Sequence, residues 1–304
     1  MVALVTKPLP PDELFPAHST DVAQRFVQLP SGIRLRVAES GPPDGSPVLL
    51  LHGWGGTLYM YRHAFDLLPR LGLRTIAIDL RGFGLSTRIE EAGAYSLDEY
   101  LDDVLALLDT LRLERVAIVG QSMGGGLTLR FALRYPERVS RIVLINPTSL
   151  VPLRFLPLVR TMPRAVVAAL GKRLVPRWAV GFIMRRVAYA NAKAVTQRDI
   201  DEYWAPTQLP GYTLAARGAL TDFDWSVVSD AEAGSLAVPA LVILGRQDRL
   251  IANTESAAKR LRGADVCWLA GGHCAHEENP AEAYRAMGEF LRRDSIKVHK
   301  DLNS

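Results

Sequence analysis

The chain has 304 residues, 48% hydrophobic and 22% charged, an ordinary globular composition with enough length to bury a large core. Its net charge of +4 is local: between Arg138 and Arg198 there are twelve Lys and Arg and no Asp or Glu, so the rest of the chain carries −8. Two cysteines cannot build a secreted disulfide framework, and without CxxC spacing they argue against a metal site and favour a reduced, cytoplasmic setting; no apolar run is long enough for a bilayer.

The leader "MVALVTKPLPPDELFP" has no signal-peptide pattern; its prolines suggest an extended segment strapped to the surface. "RFVQL" and "IRLRVAE" around "SG" read as two alternating strands. "PVLLLHG" is a continuous apolar run, and "RTIAIDL", "RVAIVG", "RIVLIN" and "ALVILG" repeat it; such runs suit strands buried on both faces of a parallel sheet. Helical stretches separate them. "MYRHAFDLLPRLG" is one; "SLDEYLDDVLALLDTLRL" is another, opened by a capping-box pattern of Ser96 and Glu99. "TESAAKRLRG" ends at a glycine, and the last helix opens with Asn279 at the N-cap, Pro280 at N1 and Glu282 at N3. Strands alternating with helices predict an α/β fold with a doubly wound, mostly parallel sheet. The rhythm breaks between about Leu150 and Val238. We therefore expect a first core part over 1–150, an inserted helical cap over 151–235 and a second core part over 236–304. The basic charge of the cap suits an anionic substrate, a weak membrane-surface contact, a partner, or a solvated helical face. No nucleic-acid partner is expected. The end, "DSIKVHKDLNS", reads as a polar tail.

The strand "RVAIVG" runs into "GQSMGGG" and then a helix. Gly120-Gln121-Ser122-Met123-Gly124 is a G-x-S-x-G, weak alone but here on the strand-to-helix corner that a nucleophile elbow requires. Positions two before and two after the serine crowd each other, and glycine meets that need. The Met123 N–H lies at a helix start, where it can stabilise an oxyanion. Gly125 and Gly126 cost the helix up to about 1 kcal/mol each, which suits a close approach. A second oxyanion donor, the Trp54 N–H, is offered by "HGWGG", in which His52 and Gly53 support the loop. A serine nucleophile needs a base and an orienting acid. Past "RIVLIN" stands Asn146, which carries no charge; past "LVILG" stands Asp248. The base comes from "GGHCAHEENP", where spacing leaves both His273 and His276.

"HGWGG", "DLRGFGLS", "GQSMGG", "LGRQD" and "GGHCAHEENP" occur in the order of the α/β-hydrolase fold superfamily. The chain resembles its capped esterase, lipase and small-molecule-hydrolase branch over nearly its whole length. The resemblance implies a triad in the order Ser122, Asp248, His273, since the family frame of G-H followed by a glutamate and a proline fits Gly272-His273 with Glu278 and Pro280. His276 becomes a supporting residue. It implies a structural role for Asp79 and Arg81, and it marks Phe83 as a departure from the histidine or tyrosine common there. The expected reaction is hydrolysis of a carboxylic ester or other small acyl substrate through an acyl-enzyme, without metal or organic cofactor. Branches with an aspartate nucleophile are disfavoured by Ser122. Ring-cleavage C–C hydrolases share the triad but usually have tryptophan where this chain has Cys274. A ligand-binding protein of low turnover is the alternative outside enzymes.

Overall fold

The computed structural model describes residues 7–17, 19–152, 161–170, 175–251 and 254–293. The first six residues of the leader, the tail from Asp294 onward and part of the basic stretch lie outside the described residues.

Eight strands form one sheet: β1 (Ala23–Gln28), β2 (Arg34–Ser40), β3 (Ser46–Leu51), β4 (Leu73–Ile78), β5 (Val116–Gln121), β6 (Val139–Ile145), β7 (Ala240–Gly245) and β8 (Asp265–Leu269). Their spatial order is β1-β2-β4-β3-β5-β6-β7-β8. The first two are antiparallel to their neighbours, and all later pairings are parallel. The continuous apolar runs are explained by their division between two cores. Leu49, Leu51, Ile142, Leu144, Val242 and Leu244 point into one cluster; Val48, Leu50, Val143, Ile145, Leu241 and Ile243 point into the other. Successive side chains alternate across a strand, so a strand covered on both faces has no polar position.

One face is covered by α1 (Leu97–Thr110) and α2 (Met123–Arg134). The other is covered by the segment after β3 and by α10 (Pro280–Leu291), through Tyr61, Phe65, Tyr284, Met287 and Phe290. Burying one such large side chain stabilises the fold by roughly 1.5–3 kcal/mol. Among the described residues, the stretch between β6 and β7 holds α3 (Arg164–Leu170), α4 (Arg177–Ile183), α5 (Gln197–Trp204), α6 (Tyr212–Asp222) and α7 (Asp230–Gly234). Its buried residues are shared between the sheet's two clusters: Tyr212, Ala215, Ala219 and Phe223 in one, Met184, Tyr189, Val195 and Ile200 in the other. The stretch is thus packed onto the core along most of its length. After β7 come α8 (Thr254–Arg260) and, past β8, the single turn α9 (Ala275–Glu278). No helix among the described residues is long and apolar enough to cross a membrane.

Three local expectations change. "MYRHAFDLLPRLG" is three short turns, Leu58–Tyr61, Ala64–Leu67 and Pro69–Leu71, rather than one helix. Pro69 interrupts the ladder, and Gly72 closes it with φ of 76°. Ser96 caps α1 by accepting from the Glu99 N–H at 3.3 Å, but the Glu99 carboxylate turns away to Arg81, so the box is half made. Asn279 stands at the N-cap of α10, yet its amide donates to the carbonyls of Ala270 and Ala275 and caps nothing. The leader is tied down where described: the Phe15 N–H donates to Glu202 Oε1 at 2.9 Å and its ring packs on Tyr59 and Phe65.

Candidate active site

The strand order reverses between β3 and β5, which lie side by side with Leu51 opposite Gly120. Chains leaving neighbouring parallel strands at such a switch point part to opposite sides and open a crevice. Here they are the His52 loop and the Ser122 elbow.

Ser122 has φ of 53° and ψ of −115°, a conformation unfavourable for a residue with a side chain. Strain of this kind costs roughly 1–3 kcal/mol and persists where the surroundings over-determine it. They do. The Ser122 N–H donates to the Ile145 carbonyl at 3.0 Å, and its own carbonyl accepts from the N–H groups of Gly126 and Thr148. A Cβ on Gly120 would stand 2.2 Å from the Gly124 oxygen, and one on Gly124 would stand 2.1 Å from the Leu51 oxygen. Gly125 and Gly126 face Pro147, Thr148 and Ser149 of the loop after β6, and a Cβ on Gly125 would also stand 3.1 Å from the Gly120 oxygen of β5. Met123 is the first residue of α2, and its N–H has no acceptor inside the helix.

The second predicted donor loop backs onto the elbow. A Cβ on Gly53 would lie 3.0 Å from Ser122 Cβ and 2.3 Å from Gln121 Oε1, so only glycine lets the Trp54 peptide follow so close to Ser122. The Trp54 indole reaches outward and donates to the Ala216 carbonyl of α6 at 2.8 Å. His52 is buried and bridges backbone: Nε2 accepts from the Leu80 N–H at 2.9 Å, which leaves the proton on Nδ1 for the Gly53 carbonyl at 2.7 Å. Burial pushes its pKa down and keeps it neutral. Phe83 packs edge-on against its ring at 5.6 Å. Asp79 is likewise internal, accepting from the N–H groups of Leu58 at 2.7 Å and Leu85 at 2.8 Å, and Arg81 pairs with Asp103 and Glu99.

Asp248 follows β7. Its buried carboxylate receives the Leu250 and Ile251 N–H groups on Oδ1, at 2.8 and 3.0 Å. Oδ2 receives His273 Nδ1 at 2.8 Å. A carboxylate so placed accepts, so Nδ1 carries a proton, which in the neutral ring leaves the lone pair on Nε2. His276 lies elsewhere: it is fully buried, tilted against the Tyr61 ring at 5.6 Å. Burial, with Arg62 and His273 adding to it, pushes its pKa down to about 3. Cys274 sits in the second core cluster, and burial, with Glu277 nearby, raises its thiol pKa well above the ordinary range.

Polar residues whose holding role the sequence did not show fix the histidine loop. Gln121 donates to the His273 carbonyl at 3.0 Å. Asn146, rejected as an acid, has φ of 39°; its amide donates to the carbonyls of Gly272 and His273, at 3.1 and 2.9 Å, and accepts from the Gly245 N–H. The Glu278 carboxylate accepts from the N–H groups of Gly272 at 2.6 Å, Ala190 at 3.0 Å and Asn191 at 2.8 Å. The Cys274 N–H adds a bond to the Ala188 carbonyl at 3.1 Å. Buried Glu277 pairs with Arg62 and accepts from Tyr203 at 2.8 Å, while Arg62 also reaches Asp199 at 3.1 Å. In the sequence, Glu278 was marked by its distance from Gly272-His273 and Asn146 by its place just after a buried strand; the bonds they make were not. Among the described residues, no group of three His, Cys, Asp or Glu is placed to hold a metal ion.

Comparison with known proteins follows the same line. The family described as "alpha/beta hydrolase fold" matches residues 46–280. Epoxide hydrolase A of Mycobacterium tuberculosis is 26% identical over 309 residues, covering 86% of this chain and 95% of its own length. A Variovorax paradoxus protein named as a carbamate hydrolase, RutD, is 31% identical over 266 residues, covering 84% and 95%. The meta-cleavage product hydrolase CumD of Pseudomonas fluorescens superposes, as a single-residue variant, with a TM-score of 0.72 at 25% identity, covering 89% of this chain and 98% of its own. The chain is a member of the α/β-hydrolase fold family.

Proposed function

We propose that the protein is a serine hydrolase of carboxylic esters, with Ser122, His273 and Asp248 as its triad and the segment 151–235 as a cap that sets substrate choice. The observations that support this reading are the His273–Asp248 hydrogen bond of 2.8 Å and, separately, the strained backbone of Ser122 at the strand-to-helix corner. Ser122 Oγ attacks the ester carbonyl while His273 Nε2 takes its proton. Asp248 holds the imidazole in the required tautomer and stabilises its cationic form. The N–H groups of Met123 and Trp54 receive the developing oxyanion; one donor of this kind contributes about 3 kcal/mol to the transition state. His273 then gives the proton to the departing alcohol. Water, deprotonated by the same nitrogen, attacks the acyl-enzyme and releases the acid.

The named activities of the relatives divide by nucleophile. Epoxide hydrolysis in this family proceeds through an aspartyl ester, which requires a carboxylate at the elbow; Ser122 supports acyl transfer instead. C–C bond hydrolysis is the second reading, favoured by the likeness to CumD. The small Cys274 after the base argues for the ester, since ring-cleavage relatives usually carry tryptophan there. Ser122→Ala should lower turnover of p-nitrophenyl esters about 10⁴-fold or more with the fold intact. Near-wild-type turnover in that variant would overturn the triad. A chain-length series of esters run beside a ring-cleavage product decides between the two substrates, and failure of a fluorophosphonate to label the folded protein would favour a ligand-binding role.

A further inference from the structure

Helix α4 is turned inside out. In a helix that packs on a core, the large apolar side chains face inward. Here Gly181 faces inward, with the space for its Cβ only 3.1 Å from Ile200 Cδ1. Trp178, Phe182 and Ile183 face solvent and are 74%, 58% and 52% exposed. The helix runs directly into Arg185 and Arg186, and Arg249 is held at the same place by donating to the Arg186 carbonyl at 2.5 Å. Lys193 is exposed nearby in sequence. Of the cations on this surface, Arg177 is joined to Asp201 at 2.6 Å, whereas no carboxylate among the described residues pairs with Arg185, Arg186, Lys193 or Arg249. An exposed aromatic patch bordered by unneutralised cations marks a surface for something apolar and negative.

We propose that α4 docks the protein on the surface of an anionic lipid bilayer, with Trp178, Phe182 and Ile183 in the headgroup and upper acyl region and Arg185, Arg186, Lys193 and Arg249 among the lipid phosphates. The helix has seven residues, too few to span, so it lies in the plane of the interface. Tryptophan is the side chain best suited to that depth, and arginine stems lie along it while the heads stay in water. The charge argues against a second copy as occupant: a two-fold contact through this patch would set each protomer's arginines against the other's. The docked segment is continuous with the site, for it runs from α4 through Met184–Ala188 to the Ala188 carbonyl that accepts from Cys274. Binding itself does not depend on the ester reading.

The test is co-sedimentation of the full chain with vesicles of phosphatidylcholine alone and of phosphatidylcholine with 30% phosphatidylglycerol, at low and moderate salt. Binding is expected to the anionic vesicles and to weaken with salt. The double variant Trp178→Ala/Phe182→Ala should bind at least ten-fold more weakly, and Arg185→Gln/Arg186→Gln should lose the salt-sensitive part. Both should keep wild-type circular dichroism and fluorophosphonate labelling, which separates loss of docking from loss of fold or of the triad. Absence of wild-type binding to anionic vesicles, or unchanged binding by the aromatic variant, would overturn the proposal. A wild-type dimer by light scattering that Trp178→Ala/Phe182→Ala converts to monomer would assign the patch to a second copy instead.

Discussion

Replacing Glu278 by alanine should slow the proposed chemistry without touching any reacting atom. Its carboxylate receives three backbone N–H groups: Gly272, which immediately precedes His273, and Ala190 and Asn191 from the stretch between β6 and β7. Hydrogen bonds to a charged acceptor contribute roughly 1.5–3 kcal/mol each. Asn191 is exposed and its N–H is readily rehydrated, so a net loss of about 3 kcal/mol is reasonable for the three together. For a chain of this length that corresponds to a fall in Tm of about 5 °C. The catalytic effect depends on how far the loop relaxes, and a displacement of about 1 Å at the base costs on the order of 10²-fold. Glu278→Gln keeps one acceptor oxygen and should lose about half of each effect. The assay is the rate of fluorophosphonate labelling of Ser122, which reports the reactivity of the serine and its base whatever the substrate, measured beside kcat and KM on a short ester. A fall in labelling rate and kcat at nearly constant KM is expected. A lowered Tm with unchanged labelling and kcat would show that Glu278 ties down the stretch between β6 and β7 but does not position His273.

Gly124→Ala places a methyl 2.1 Å from the Leu51 oxygen and 2.6 Å from that of His52, both backbone, so β3 and its donor loop must move. Labelling should fall at least ten-fold, and a variant that labels like wild type would contradict the packing at the elbow. His276 titrates at about 3 in the fold and at 6.5 when exposed, so between those values the unfolded chain holds one more proton. Stability is therefore lost as pH drops below 6.5, by about 2 kcal/mol at pH 5 from this residue. His276→Phe should retain activity and show a correspondingly smaller drop in urea midpoint between pH 7 and pH 5; equal drops in both proteins would refute the assignment.

The parts of this molecule that were legible in sequence are those whose cause is local. Leu49 to Leu51 read as a buried strand because both faces need apolar side chains. Ser122 read as an elbow because Gly120 and Gly124 are the residues that a strained corner admits. Asp248 was singled out by its place after a strand, and its carboxylate does meet His273. Spacing favoured His273 over His276 only slightly, since both follow β8 and His273 lies closer to its end; what separates them in space is that one ring meets Asp248 and the other meets Tyr61. The residues that hold the loop were illegible for a related reason. Glu278 bonds to Ala190 and Asn191 across nearly ninety positions, and Arg62 reaches Glu277 across more than two hundred, so no periodicity or cap pattern connects them. Even a local pattern was misleading where tertiary partners competed: Glu99 has the spacing of a capping box, and Arg81 takes its carboxylate.

On the proposed reading, these long-range bonds constrain how substrate would reach Ser122. The histidine loop is held from below by Gln121 and Asn146 at the sheet ends, and from the side by Glu278 and the Cys274 N–H at residues 188–191. If the stretch between β6 and β7 swung away as one rigid lid, it would break the second set or drag the base with it. Motion that admits substrate is therefore expected in α3 and α4: among the residues of α3 whose burial is described, Val167 is the buried one, and α4 turns its aromatics outward. Native-state hydrogen exchange checks this directly. Amides of Gly272, Cys274 and Ala190 should exchange slowly, near the rate of β5, while those of α3 and α4 exchange several orders of magnitude faster through local opening. Exchange of residues 188–191 together with α4 at one common fast rate would show that the whole stretch opens as a unit. The histidine would then be positioned only when the lid is closed, a different design from the one these hydrogen bonds describe.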